Sequence, residues 1–211
     1  MTVQHDPAAG APGAGDPPDG ERRVVRLPSP RQEGGMPLFD ALRARRSTRV
    51  YSSRAIVPEQ LSTLLWAAFG VNRPNDGRTA PYWRHIMVID VYVAMSDGVW
   101  LYEPQSHSLS LYLNEDVRAE TGQQDFVGVA ALDLVYVAHG ARMADISPEE
   151  RRLFASVDSA FSGQNVYLFC ASEGLGSVFR GAVDYPALER RLQLPRDQFV
   201  TFAQTVGYPS A

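Results

Sequence analysis

An α+β fold is what the order of elements predicts, and three observations carry that reading. One helix has a proline start and a glycine stop, a run of strand-like segments is joined by tight turns, and a much longer helix lies late in the chain. Helices and antiparallel-looking strands interleave without the regular alternation that builds a parallel sheet. At 211 residues and 45% hydrophobic, the chain has enough apolar material for one substantial core, so it reads as a single folded domain with an appendage. The seam lies near Gly35. Residues 1–35 are crowded with Pro, Gly, Ala and charge and carry almost no periodic apolar pattern. Such a segment does not offset its ordering entropy by burial, so 1–35 is expected to be a disordered tail and 36–211 the domain.

Folded structure is expected from Pro37, where LFDALRARR places Leu38, Phe39 and Leu42 on one helix face. A second helix opens at Pro58, in its favoured first-turn position, carries Leu61, Leu64, Leu65 and Ala68 as a stripe, and stops at Gly70. IMVIDVYVAM and VWLY, separated by Ser96, Asp97 and Gly98, read as a hairpin, and Ser108 to Leu113 as a third strand. A short helix over about 116–121 and the strand ALDLVYVA follow. SPEERRLFASVDSAFSGQNVYLFCASEG is the longest helix candidate, with Ser147 as N-cap, Pro148 in the first turn, and Glu149 and Glu150 complementing the helix dipole. The strand SVFRGAV, a helix from Tyr185 to Leu192 and the strand FVTFAQTVGY complete the domain.

Composition excludes several chemistries. All 20 of the Lys+Arg residues are Arg, which removes a Schiff-base lysine and the lysine of a phosphate-binding Walker A loop. The single Cys170 forms no internal disulfide or CxxC pair and, in its apolar setting YLFC, reads as a small buried residue. The four histidines are far apart, without HExxH spacing. A net charge of -4 and a sequence pI near 5.6 argue against nonspecific nucleic-acid binding. No stretch approaches the roughly 18 apolar residues of a membrane span, and MTVQHDPAAGAPGAG lacks signal-peptide order, so a cytoplasmic protein is expected.

Against that acidity, ALRARRSTRVYSSR collects Arg43, Arg45, Arg46, Arg49 and Arg54. A solvated helix end accounts for them, since cations suit helix C-termini; so does a phosphate pocket, because guanidinium groups pair with phosphate through planar, charge-assisted hydrogen bonds that a hydroxyl such as Ser47 completes. A second candidate is SEGLGS, residues 172–177. Its glycines follow a helix instead of opening one, so a dinucleotide fingerprint is rejected. Helix capping and close approach of a flat ring to the backbone both explain them, and the two are compatible.

These two stretches carry a resemblance. RARRSTRVYSSRAIVPEQLSTLLWAAFG resembles the opening of the FMN-dependent nitroreductase superfamily, and QNVYLFCASEGLGSVFRGAVD is similar to its central helix and the Glu-Gly turn that follows. Short, single-domain proteins of the SagB-like branch are the nearest in form, and the likeness covers about residues 37–208. The resemblance implies a mostly antiparallel sheet flanked by helices and an obligate homodimer with the long helix packed against its twin and FMN at the interface. Small residues Ser159, Ala160, Ser162 and Gly163 suit that close approach, or equally an internal neighbour. Arg45, Arg46 and Ser47 match the flavin phosphate and ribityl contacts, with Arg49 as helper. Glu173 and Gly174, continued by Leu175 and Gly176, match the turn whose backbone amides face the reactive flavin edge. The flavin then supplies the hydride chemistry and the protein supplies positioning, with NADH or NADPH as donor and a nitro compound, quinone or other oxidised small molecule as acceptor, or a dehydrogenation of the kind azoline dehydrogenases perform.

Two departures from the family pattern stand out. After Thr79-Ala80-Pro81, relatives carry small and amide residues in the flavin pocket; here the segment is YWRHIMV, with Tyr82 and Trp83 at small positions and His85 and Met87 at amide positions. Tyr82 and Trp83 either stack on a planar ligand or pack the loop, while Arg84 or His85 donates to the flavin carbonyl edge. The chain also ends at VGYPSA, short of the basic C-terminal arm of larger relatives, which leaves Arg180 or Arg49 to substitute. The alternative is a non-catalytic member whose altered pocket holds another ligand or none.

Overall fold

Apolar residues on both faces of a strand require cover on both sides, and LDLVYVAH has this character: all eight residues of Leu132–His139 are buried. The structure, a computed structural model, describes residues 23–210. In chain order the main strands are β1 (Val24–Arg26), β4 (Ile89–Met95), β5 (Gly98–Glu103), β6 (Ser108–Leu113), β7 (Leu132–His139), β8 (Gly176–Arg180) and β9 (Gln198–Gly207), with β2 (Val71–Arg73) and β3 (Gly77–Arg78) forming a separate small hairpin. The seven-stranded sheet has the order β1-β6-β5-β4-β7-β9-β8, and every adjacent pair is antiparallel. The helices are α1 (Leu38–Ala44), α2 (Pro58–Phe69), α3 (Pro148–Glu173) and α4 (Tyr185–Arg191). The α+β expectation holds, and the expected helix over 116–121 is a single short turn at Arg118–Glu120.

Period-two alternation sorts the strand residues into two cores. Val91, Val93, Leu132, Leu134 and Tyr136 pack with Leu64 and Leu65 of α2 and Val166 of α3. Tyr92, Ala94, Val135 and Val137 pack on the opposite face with Leu188 and Leu192. α3 starts on a full capping box, with Ser147 Oγ accepting from Glu150 N and the Glu150 carboxylate accepting from Ser147 N. It stops at Gly174, whose φ of 70° is the left-handed conformation that glycine adopts without strain.

The small residues of α3 face the chain's own core. Ser159 Oγ donates to Ala155 O and meets Thr201 Oγ1 at 2.7 Å, and Ser162 Oγ donates to Ala68 O at 2.8 Å. A Cβ on Gly163 would lie 2.5 Å from the Phe179 ring, so that glycine is required by β8. Of the four residues expected to suit a twin helix, only Ala160 is exposed. The outward face of α3 carries Leu153, Val157 and Phe161 at helical spacing, and α1 turns out Leu38, Leu42 and Phe39, the last 79% exposed.

The expected tail is corrected over residues 23–35; residues 1–22 lie outside the described residues. Val24, Val25 and Arg26 pair with Ser110, Leu109 and Ser108 at the sheet edge. Edge pairing uses main-chain groups and needs no apolar period, which is why composition missed it. Leu27 then packs on the core, Ser62 Oγ donates to Pro28 O at 2.5 Å, Arg31 N donates to Thr63 Oγ1, and Met36 N donates to Ser172 Oγ. His107 closes this network, with Nε2 2.7 Å from Ser62 Oγ and Nδ1 2.9 Å from Tyr102 Oη. Since Ser62 gives its proton to Pro28 O, the satisfied form of His107 is the neutral ring that donates from Nε2 and accepts at Nδ1.

Burial pushes the His107 pKa down, against the opposing pull of the Pro28 carbonyl. The folded state therefore resists protonation, so its stability is full above the ordinary histidine pKa of about 6.5 and declines as pH falls below it. Deleting residues 1–35 is expected to lower the melting temperature by several degrees, and His107→Gln to flatten the acid-side slope between about pH 5 and 6.5. Thermal melts across pH check both; a truncated chain that melts like the full one contradicts the docking of residues 23–35.

Candidate functional site

The turn after α1 is bound to the start of β8 by main-chain and side-chain contacts. Thr48 N donates to Ser177 O at 2.9 Å, and Ser47 and Ser177 form a parallel bridge. Tyr167, from α3, reaches both segments: its hydroxyl lies 2.9 Å from Ser47 Oγ and accepts from Phe179 N at 2.8 Å. The Arg45 guanidinium stands 5.2 Å from the centre of the Tyr167 ring. Gly176 is needed here because a Cβ would meet the Thr48 side chain at 2.7 Å. A cavity of about 140 Å³ opens at this junction, lined by Arg46, Thr48, Tyr167, Gly174, Leu175 and Ser177. Arg45, Arg46, Ser47, Gly174, Leu175 and Gly176, six of the residues singled out in sequence, thus meet in one place.

Its chemistry suits an anion. Arg46 and Arg49 are exposed, and neither has an ion-pair partner among the described residues. Tyr167 Oη accepts from Phe179 N and meets Ser47 Oγ at 2.9 Å, so the two hydroxyls tie the turn after α1 to β8 beside the cavity. A side chain at Gly174 would meet nothing within 4 Å, so the backbone there is open to a ligand. These observations fit the phosphate end of FMN. The turn amides do not fit the part expected of them, because Gly174 N and Leu175 N both end on Cys170 O as the helix cap. The Glu173 carboxylate is likewise taken, by Arg31.

Arg84 and His85 lie elsewhere. Trp83 N donates to Asp158 Oδ2 at 2.9 Å, and Arg84 pairs with Asp145 at 2.8 Å. Asp158 and Gly174 are separated by roughly 24 Å of helix at 1.5 Å per residue, so Arg84 and His85 are not brought to the cradle within one chain. Both take positive φ, 46° and 59°, in a tight turn. Tyr82 packs edge-on against Phe69 and Trp83 stacks on Phe154, so within the chain these rings pack the loop. Burial pushes the Asp158 carboxyl up to about 6, although the Trp83 amide opposes it.

Arg180 is corrected outright. It is buried, pairs with Asp133 at 2.8 Å, and donates to Thr121 O and Thr205 Oγ1. Strand alternation turns its side chain into the interior beside a buried carboxylate, where it cannot substitute for a phosphate ligand. Tyr167, Arg31 and Asp158 are the residues the sequence did not mark, because their partners are 12 to 142 residues away. Arg180→Met is expected to destabilise the fold by about 3–5 kcal/mol by leaving Asp133 unpaired, while folded protein keeps its ligand affinity. Urea unfolding with a ligand titration separates the two effects; wild-type stability with lost affinity would return Arg180 to the site.

With this geometry in hand, the likeness to known proteins is specific. A model described as the nitroreductase family matches residues 42–208. The crystal structure of a protein from Ralstonia eutropha, named as a nitroreductase, superposes with a TM-score of 0.86 at 41% identity, covering 99% of this chain and 100% of that one. A protein of Methanocaldococcus jannaschii, also named as a nitroreductase, is 32% identical over 174 residues, 77% of this chain and 86% of its own length. The NADPH-flavin oxidoreductase of Vibrio harveyi is 34% identical over 96 residues, 42% of this chain and 40% of its own.

Proposed function

Since the chain belongs to the nitroreductase family, we propose that it holds FMN by its phosphate at Arg45, Arg46 and Ser47 and passes hydride from NADH or NADPH to a small oxidised acceptor, a nitro compound or quinone. It is a flavin-dependent oxidoreductase; the cradle, the donor and the acceptor are the finer reading. The observation that carries it is one cavity lined by Arg46, Tyr167 and the open Gly174 turn, with Ser47 hydrogen-bonded to that Tyr167. When bound, FMN supplies the hydride-carrying ring. The chain's own part is positioning: two guanidinium groups and the Ser47 hydroxyl fix the phosphate, Tyr167 fixes Ser47, and Gly174 and Gly176 keep the backbone open and close to the Arg46 turn. The cavity wall also holds the Cys170 thiol, whose pKa burial pushes up and which so stays protonated, and the Tyr167 hydroxyl, which is engaged with Phe179 N and Ser47 Oγ.

The working unit in this reading is a homodimer. The exposed stripe Leu153, Val157 and Phe161, beside Leu38 and Phe39 of α1, is the apolar face a soluble chain covers with a partner. An antiparallel twin α3 would set the partner's loop at residues 82–85 opposite the cradle and so bring Arg84 and His85 to the flavin, across the separation that one chain leaves between them. The match over the full length of the Ralstonia protein suits the short, SagB-like form, and a SagB-like dehydrogenation uses the same cradle.

Arg46→Ala is expected to weaken FMN binding by about 1.5–3 kcal/mol, the scale of a charge-assisted hydrogen bond, without unfolding the chain. Phe161→Asp is expected to yield monomer by size-exclusion chromatography and to release flavin. Unchanged FMN affinity in Arg46→Ala removes the cradle, and a colourless wild-type protein that ignores added FMN favours a non-catalytic family member.

A further inference from the structure

Left-handed backbone is costly for a residue with a Cβ and persists only where the surroundings enforce it. Arg84 and His85 hold it in succession, with φ of 46° and 59°. Asn75 and Asp76 do the same in the β2–β3 hairpin turn, where residues of their type are usual. The contacts that hold Arg84 and His85 come mainly from α3. Asp158 is 3% exposed, yet its carboxylate has no ion-pair partner among the described residues. It accepts from Trp83 N at 2.9 Å, and burial pushes it up to about 6 against the pull of that amide. One turn earlier on the same helix face, Phe154 stacks on the Trp83 ring at 5.7 Å. The Arg84 guanidinium stands 4.5 Å from the centre of that ring and pairs with Asp145.

Packing alone would be served by an apolar side chain at position 158, because a carboxylate taken from water without a cation costs more than one amide hydrogen bond offsets. What an apolar side chain does not do is fix the Trp83 amide, and with it the path of the two residues that follow. The carboxylate therefore has a geometric task. The turn it fixes lies beside the exposed stripe of α3, since Phe154 and Asp158 adjoin Leu153, Val157 and Phe161 on the helix surface. His85 is exposed at the end of that turn, edge-on to Tyr82 at 5.7 Å.

We propose that Asp158 is a positioning residue of the flavin site: through the Trp83 amide it holds the turn in the form that presents His85 to the flavin ring bound at the partner subunit's cradle. This rests on the cradle and the dimer proposed above, and it names the group that sets the loop facing them. Asp158 itself touches neither flavin nor substrate and acts through the backbone of residues 83–85. His85 supplies a ring N–H that donates to a flavin carbonyl. The strained turn and the buried carboxylate then have one explanation, since each is held for the direction in which His85 points.

The test measures FMN and riboflavin affinities by flavin fluorescence in wild type, Asp158→Ala, Asp158→Asn, His85→Ala and Arg46→Ala, with a melting curve and size-exclusion chromatography on each. Asp158→Ala is expected to remain a folded dimer and to bind both flavins about tenfold more weakly. Asp158→Asn is expected to stay within about twofold of wild type, since its side-chain carbonyl accepts the same amide. His85→Ala, at an exposed position, is expected to weaken both flavins about fivefold, whereas Arg46→Ala weakens FMN and spares riboflavin. Unchanged flavin affinity in Asp158→Ala or His85→Ala, with Arg46→Ala still weakening FMN, overturns the positioning role and leaves the cradle standing. An equal loss in Asp158→Asn and Asp158→Ala, or a loss that comes with dissociation to monomer, overturns it as well, because the bond to the Trp83 amide is then not the cause. Where Asp158→Ala does not fold, His85→Ala decides, and undiminished affinity there overturns the proposal. If Arg46→Ala also leaves FMN affinity unchanged, the cradle itself fails and the proposal falls with it.

Discussion

A single hydroxyl group joins the three segments on which the candidate site depends. Tyr167 Oη accepts the Phe179 amide and meets Ser47 Oγ, so α3, β8 and the turn after α1 converge on one oxygen. Without it, Ser47 and Arg46 would sit at the end of a seven-residue helix, too short to hold a loop still by itself. The main-chain bond from Thr48 to Ser177 fixes the height of the turn, and the Tyr167 contact fixes which way its hydroxyl faces. The buried face of α3 is what makes this anchor rigid, since Ser159, Ser162 and Gly163 seat the helix against the chain's own β8, β9 and α2.

In the proposed dimer the same helix would set the two parts of the flavin pocket on different chains. Its C-terminal end carries the cradle, while Asp158, about midway along it, holds Trp83 and with it the YWRHIMV loop. The stripe Leu153, Val157 and Phe161 between solvent and these groups is too apolar to be an ordinary wet face. In the proposed dimer, pairing two copies through that stripe would cover it and juxtapose the two ends, so that apolar burial and pocket completion would be one event.

Much of this was legible in the residues, and the reasons differ by element. The strands Ile89–Met95, Gly98–Glu103 and Leu132–His139 announce themselves by apolar runs and turn residues, and α3 by Ser147-Pro148 and a terminal glycine. Local chemistry settles those features. β1 was missed because a sheet edge is recognised by main-chain pairing, which VVR in a Pro-rich context does not advertise. Arg180 and Arg46 are both arginines near glycine turns, and only the tertiary position of Asp133 decides that one is structural and the other faces a cavity. By size Gly163 suits a twin or a neighbour equally, and the family resemblance alone favours the twin; the Phe179 ring, 2.5 Å from where a Cβ would stand, accounts for the glycine within the chain.

The central claim is that the Tyr167 hydroxyl aims Ser47 at the phosphate of FMN. The most direct measurement compares FMN and riboflavin affinities in wild type and Tyr167→Phe by flavin fluorescence, with melting curves as the control for folding. Removing one hydroxyl is expected to weaken FMN about tenfold, the scale of a lost charge-assisted hydrogen bond, while riboflavin, which lacks the phosphate, binds both proteins alike. Equal FMN affinity in the two proteins, or an equal loss for riboflavin, would contradict the account.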